Sequence, residues 1–265
     1  MNVFIREIKA NLKSLFFWSI GVLAVIAGGM GKYAGFESSG QDIGAMFSQF
    51  PKELLAIFGV GNLDLSTAAG FYGVIYIYLL IMAGIHAAML GANILAKEER
   101  DKTSEFLFVK PISRQGIITA KVMAGLVNVL LFNILSLLMS IGIAAKTAAE
   151  ENLNGDILML MAGMLFFQLI FLFIGTAMAA LSPKPRAAAS GAAGLLLGSY
   201  LIYALIQVSG KLDGLKYLSP FKYFEAEIIM ASKSLDVFFI VLSLAISGIC
   251  LAMTYARYTR KDLSV

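Results

Sequence analysis

Charge is what this sequence has least of. Asp, Glu, Lys and Arg make up 14% of its 265 residues, and 59% are apolar. A water-soluble domain carries about 25% charged residues, so the solvent for this chain is mostly lipid. Cysteine occurs once, as Cys250, and histidine once, as His86. A disulfide within the chain is thereby excluded, and no residue cluster has the spacing of a zinc or calcium site. The phosphate loop G-x-x-x-x-G-K-[ST] is missing too. GMGKY at 29–33 has Gly-Lys but lacks the first glycine and the hydroxyl residue. Paired carboxylates and a nucleophile with its base are likewise absent, which argues against an enzyme. Any ATP hydrolysis linked to this protein is expected in another polypeptide.

What is present is a set of long apolar runs. A membrane span needs roughly 20 mainly apolar residues, and six candidates occur, at 15–31, 71–96, 117–145, 157–181, 187–208 and 237–256. All five prolines fall between them, as expected of a residue that breaks helices. The basic residues before the first run (Arg6, Lys9, Lys13) resemble a signal-peptide start, but the run is long and no Ala-x-Ala site follows, so it is read as a retained span. The fold class expected is an all-α integral membrane protein, with 1–265 as a single transmembrane domain.

With both termini on one side, that side carries fourteen Lys and Arg and the other carries seven. The positive-inside rule then places both termini in the cytoplasm. The net charge of +4 is therefore topological, and nucleic acid is not an expected partner. Lys121 sits near a cytoplasmic helix end, where a lysine can snorkel to water. Otherwise the spans hold no deep acid or base, which argues against an ion-driven carrier.

The first fourteen residues place Phe4, Ile8 and Leu12 on one face with Leu15, away from Arg6, Lys9 and Lys13, as an N-terminal interfacial helix would. Trp18, Tyr72 and Tyr255 suit interfacial aromatic belts. His86 is expected as a neutral imidazole between helices, and Asn93, Asn128, Asn133, Gln168 and Gln207 as interhelical hydrogen-bonding groups. Thirteen methionines read as adaptable packing. Ser190, Gly194 and Gly198 form a small-xxx-small ladder that fits close packing inside one chain and a subunit contact equally well. Outer segments 32–70 and 210–236 mix aromatics with charges, as short surface helices do.

The most charged stretch is EERDKTSEFLFVKPISR at 98–114. Glu98 and Lys102 form a favourable i,i+4 pair that extends the second span into the cytoplasm. Thr103 or Ser104 can cap a short helix through Glu105 to Val109, Pro111 ends it, and Ser113 caps the next span. Four consecutive apolar residues, Phe106, Leu107, Phe108 and Val109, sweep most of a helix circumference. Lipid would cover only one side. A solvated loop dipping into the interface and a partner-binding helix both remain open from periodicity.

EERDKTSEFLFVKPISRQGIITAK resembles the cytoplasmic segment after the second span of ABC-2-type permeases. Members show an acid and Arg, then Thr-x-Glu-Leu-Leu, then Pro-Ile-Ser-Arg. Glu99, Arg100, Thr103, Glu105, Phe106, Leu107, Pro111, Ile112, Ser113 and Arg114 stand at those places. Ser104 is added relative to the tightest form, and Phe106 stands where Leu is common. FPKELLAIFG with LSTAAGFYG is similar to the family's first outer segment, and YLSPFKYF to its last.

The resemblance implies the permease subunit of an ATP-driven exporter in a cell membrane, of bacterial type. It implies pairing with a second permease copy or paralogue. It further implies that 98–114, with Phe108 among its apolar residues, is a short cytoplasmic coupling helix seated in a separate ABC ATPase. ATP and Mg would belong to that partner, and this chain would carry no cofactor. An ATP-independent carrier or channel would act without a partner. An immunity-type membrane binding protein is the other alternative. Cargo is not legible.

Overall fold

A computed structural model describes residues 3–40, 43–47, 49–101, 113–148, 151–182, 184–209 and 212–259. Among them there is no strand. The helices are α1 (Val3–Ser39), α2 (Ile43–Phe47), α3 (Lys52–Ile57), α4 (Ala68–Arg100), α5 (Arg114–Thr147), α6 (Asn154–Leu181), α7 (Pro185–Ser209), a 3-10 turn (Asp213–Leu218), α8 (Pro220–Tyr223), α9 (Ala226–Ser232) and α10 (Val237–Tyr258). Six of them, α1, α4, α5, α6, α7 and α10, are long and apolar enough to cross a membrane. These are the six expected spans, each extended by a turn or so beyond its apolar run. α1 is extended furthest.

That extension corrects the expected N-terminal helix. Residues 3–14 are not a separate interfacial element but the first turns of α1, which runs unbroken for 37 residues. At 1.5 Å per residue it is about 55 Å long, well beyond a hydrocarbon core of about 30 Å. Its buried stripe, Val3, Glu7, Leu15, Ser19, Val22, Ile26, Met30 and Tyr33, recurs every three, four or more residues along the whole length. One face therefore packs continuously on α5 and α4, so nothing bends the helix at the membrane surface. Leu12, assigned to the apolar face, is instead 47% exposed.

α4 and α6 form the centre, and the other spans pack around them. Their crossing is backbone against backbone. A Cβ on Gly91 would strike the Leu172 carbonyl oxygen, and one on Gly175 would strike the Ala88 oxygen and Ala92 nitrogen. Toward the N-terminal ends of the two helices Tyr72, Tyr76, Phe167 and Phe171 are all buried. Tyr72 is thus a core residue and not part of an interfacial belt. Its hydroxyl donates to Ser140 Oγ at 2.7 Å. The proposed small-residue ladder on α7 does not make such a contact within the chain. Cβ atoms on Gly194 and Gly198 would meet open space, and Leu195, Leu197, Leu201 and Leu205 beside them are exposed.

The outer segments are short helices, as their composition suggests. Thr67 caps α4 through Gly70 N, and Asp236 caps α10 through Phe238 N. Asp64, in the turn before Thr67, has a carboxyl held below the usual carboxylate range by hydrogen bonds from the Ser66 hydroxyl and N–H. Glu151, from the α5–α6 connection, lays its carboxylate across the Ala68 and Ala69 N–H groups at 3.0 and 3.3 Å. An anion there satisfies orphan donors and complements the helix dipole, which anchors the N-terminal end of α4.

Candidate coupling site

The start of α1, the end of α4, the start of α5 and the end of α10 meet at one end of the bundle. Arg114 Nη1 donates to the Thr259 carbonyl oxygen at 3.1 Å, and the Thr119 and Tyr255 hydroxyls lie 2.7 Å apart. Tyr258 donates to the Leu95 oxygen at 3.4 Å. Each of these bonds ties α10 to α4 or α5.

Charges from three spans are buried together here. Glu7 on α1 and Lys121 on α5 are both fully buried, and Glu98 on α4 is nearly so. Lys121 Nζ binds Glu98 and lies 4.0 Å from Glu7. Lys97 pairs with Glu7. Arg6 spans the two carboxylates, at 3.2 Å from Glu7 and 3.0 Å from Glu98. Three cations therefore face two anions, and Glu99, also buried, lies with Glu7, Glu98 and Arg114 within electrostatic reach of Tyr258. A buried charge is tolerable only when paired and hydrogen-bonded. This network meets that demand by drawing its members from separate helices.

Lys121 corrects the sequence reading. It does not snorkel outward to water. Its ammonium turns inward to the Ile94 carbonyl oxygen at 2.5 Å and to Glu98. Ile94 lies about two turns before the end of α4, so its carbonyl oxygen accepts from the ammonium in addition to its place in the helix. Glu98 likewise uses its two oxygens on Arg6 and Lys121. Lys102, its expected i,i+4 partner, lies outside the described residues.

The other expected site residues divide into two groups. Ser113 caps α5, accepting from Gly116 N at 3.1 Å. Arg114 reaches Thr259. Glu99 is buried in the last turn of α4. Arg100 is partly exposed and holds Asp101 and the Asn93 oxygen at 3.0 and 3.1 Å, so Asn93 bonds along its own helix and not across to another. Thr103, Glu105, Phe106, Leu107, Phe108, Pro111 and Ile112 lie outside the described residues, as does the short helix expected to contain them. The described part of the motif thus frames 102–112 from both sides, with α4 ending at Arg100 and α5 beginning at Arg114.

Sequence reasoning missed Arg6, Glu7 and Lys97 as members of this site. A signal existed in the adjacent opposite charges, Arg6-Glu7 and Lys97-Glu98, at the ends of two apolar runs. Deeper in the membrane, Asn133 donates to Gln168 Oε1 at 3.2 Å, the interhelical bond expected of them. His86 stacks on Phe132 at 4.6 Å and meets Trp18 edge-on at 5.8 Å. It is packed between helices, with Trp18 part of that packing instead of an interfacial belt. Among the described residues no group of His, Cys, Asp and Glu is arranged to hold a metal ion.

A family model described as ABC-2 family transporter protein matches residues 1–263. No curated protein matches the chain.

Proposed function

Since the chain belongs to the ABC-2 transporter family and is its multi-pass membrane component, a transport permease, we propose that it is the permease half of an ATP-driven exporter. A separate ABC ATPase hydrolyses ATP with Mg, and segment 102–112 is the element seated in that ATPase. The observation that supports this reading is the buried ion network at the root of the segment. α4 and α5 lead directly into it, and Glu98 and Lys121 join those two helices to each other and to α1. A push on the segment is thereby passed to three spans as one body. A water-exposed loop would not require charges buried at its base. In this reading both termini lie in the cytoplasm of a bacterial cell, and the open α7 face bearing Gly194 and Gly198 receives a second permease copy.

Orientation is tested by single cysteines in a Cys250→Ala background. Cysteines at 102 and 184 are expected to react only with reagents that enter the cytoplasm, and one at 216 with an impermeant reagent outside. Outside labelling at 102 would remove the ATPase from reach.

Coupling is tested by Phe106→Asp. An unpaired charge placed in an apolar contact is unfavourable by several kcal/mol, while the spans are untouched. Normal membrane levels are expected, with loss of both ATPase co-purification and transport. Undiminished ATPase recovery with intact transport would reduce the segment to a loop lying on lipid.

A further inference from the structure

At the end of the bundle opposite the ion network, the two outer segments enclose a cleft of about 590 Å³. One wall is apolar, built from Phe50, Leu55 and Ile228, with Phe50 and Ile228 about half exposed. The other is polar and already ordered. Lys222 binds the buried Glu225 and donates to Gln207 Oε1 at 3.1 Å, so those two charges balance. Glu227 is different. Its oxygens accept from Asn62 Nδ2 at 2.9 Å and from Asn62 N at 3.2 Å, and no cation pairs with it among the described residues. Gly61, at φ +51°, sets that turn, and a side chain there would begin 2.9 Å from Glu227 Oε2. The carboxylate is therefore held in place by Asn62, with no cation paired to it among the described residues, beside an exposed aromatic ring and an apolar wall.

We propose that this cleft binds a lipophilic organic cation, its charge against Glu227 and its apolar body against Phe50, Leu55 and Ile228. A carboxylate supplies the ion pair and disfavours anions of equal shape, a phenyl face adds cation–π attraction, and the apolar wall covers the apolar body. The site lies within one chain, so binding needs neither an ATPase nor a particular orientation in the membrane. Its failure and the failure of the coupling reading are thus separable.

The test is equilibrium binding of tritiated tetraphenylphosphonium to the purified full chain in nanodiscs, with uptake by empty nanodiscs subtracted. Saturable binding is expected, displaced by unlabelled tetraphenylphosphonium, with triphenylphosphine oxide, a phenyl-bearing analogue of no net charge, failing to compete. Glu227→Gln is expected to weaken binding about tenfold, the equivalent of about 1.4 kcal/mol, while Glu53→Gln on the exposed surface leaves it unchanged. Ala56→Glu adds a second carboxylate to the lining without touching the apolar wall and is expected to tighten binding, a gain that misfolding cannot produce. Unsaturable uptake, equal binding by Glu227→Gln and wild type, or equal competition by triphenylphosphine oxide would overturn the proposal and leave the cleft to lipid or a second copy.

Discussion

Lys121→Met is expected to destabilise the protein by about 3–5 kcal/mol, the usual consequence of removing one partner from a buried ion pair. Methionine keeps the length and apolar stem of the lysine, so the loss isolates the charge. Without Nζ, Glu98 retains Arg6 among the described residues, and fully buried Glu7 retains Lys97 and Arg6 with a weakened field. The Ile94 oxygen also loses a donor. For a chain of this size such a change lowers the unfolding temperature by on the order of 10 °C. The measurement is thermal unfolding of the purified protein in detergent. Adding Glu98→Gln to Lys121→Met removes the stranded charge, and most of the lost stability is expected to return, because neighbours in one network are not additive. A single variant as stable as wild type would show that the network is wet and contributes little. Transport has its own expectation: the rescued double variant folds but no longer joins α4 to α5 by charge, so activity stays low where stability recovers.

Gly175→Val is expected to be more damaging still for assembly of the bundle. Its Cβ would overlap the Ala88 oxygen and the Ala92 nitrogen on α4, and these are backbone atoms that cannot rotate away. The two central helices must separate or slide, and Phe167 and Phe171 lose their fit along the same seam. Overpacking in a well-filled core costs about 1–3 kcal/mol when side chains can adjust. Here they cannot, so the upper end or more is expected. Gly91→Val meets the Leu172 oxygen and should behave alike. Gly194→Val, which meets open space, is the control and is expected to leave the isolated chain as stable as wild type. Membrane yield and monodispersity in detergent read all three. Equal yields for Gly175→Val and Gly194→Val would mean that α4 and α6 do not cross at these glycines.

The six spans and their order were legible because a lipid solvent imposes a rule that acts on each segment alone. About twenty apolar residues in succession form a helix whose backbone satisfies itself, and no knowledge of neighbours is needed. The short outer helices and the Ser113 cap were legible for a related reason, since turn and cap chemistry depends on residues only a few places apart. The reading of 98–114 as a motif came from local spacing together with family resemblance.

Tertiary structure decided what depends on residues far apart in sequence. Glu7, Glu98 and Lys121 lie on three different helices, and each alone resembles an edge charge able to reach water. Only their convergence turns Lys121 inward, because a paired ammonium no longer needs hydration. The same holds for the glycines. Gly194 and Gly198 sit in the more conspicuous small-residue ladder, yet they face outward, while Gly91 and Gly175, with no matching signature, carry the closest contact. Spacing on one helix says which residues share a face, and only the partner's position says whether that face is filled.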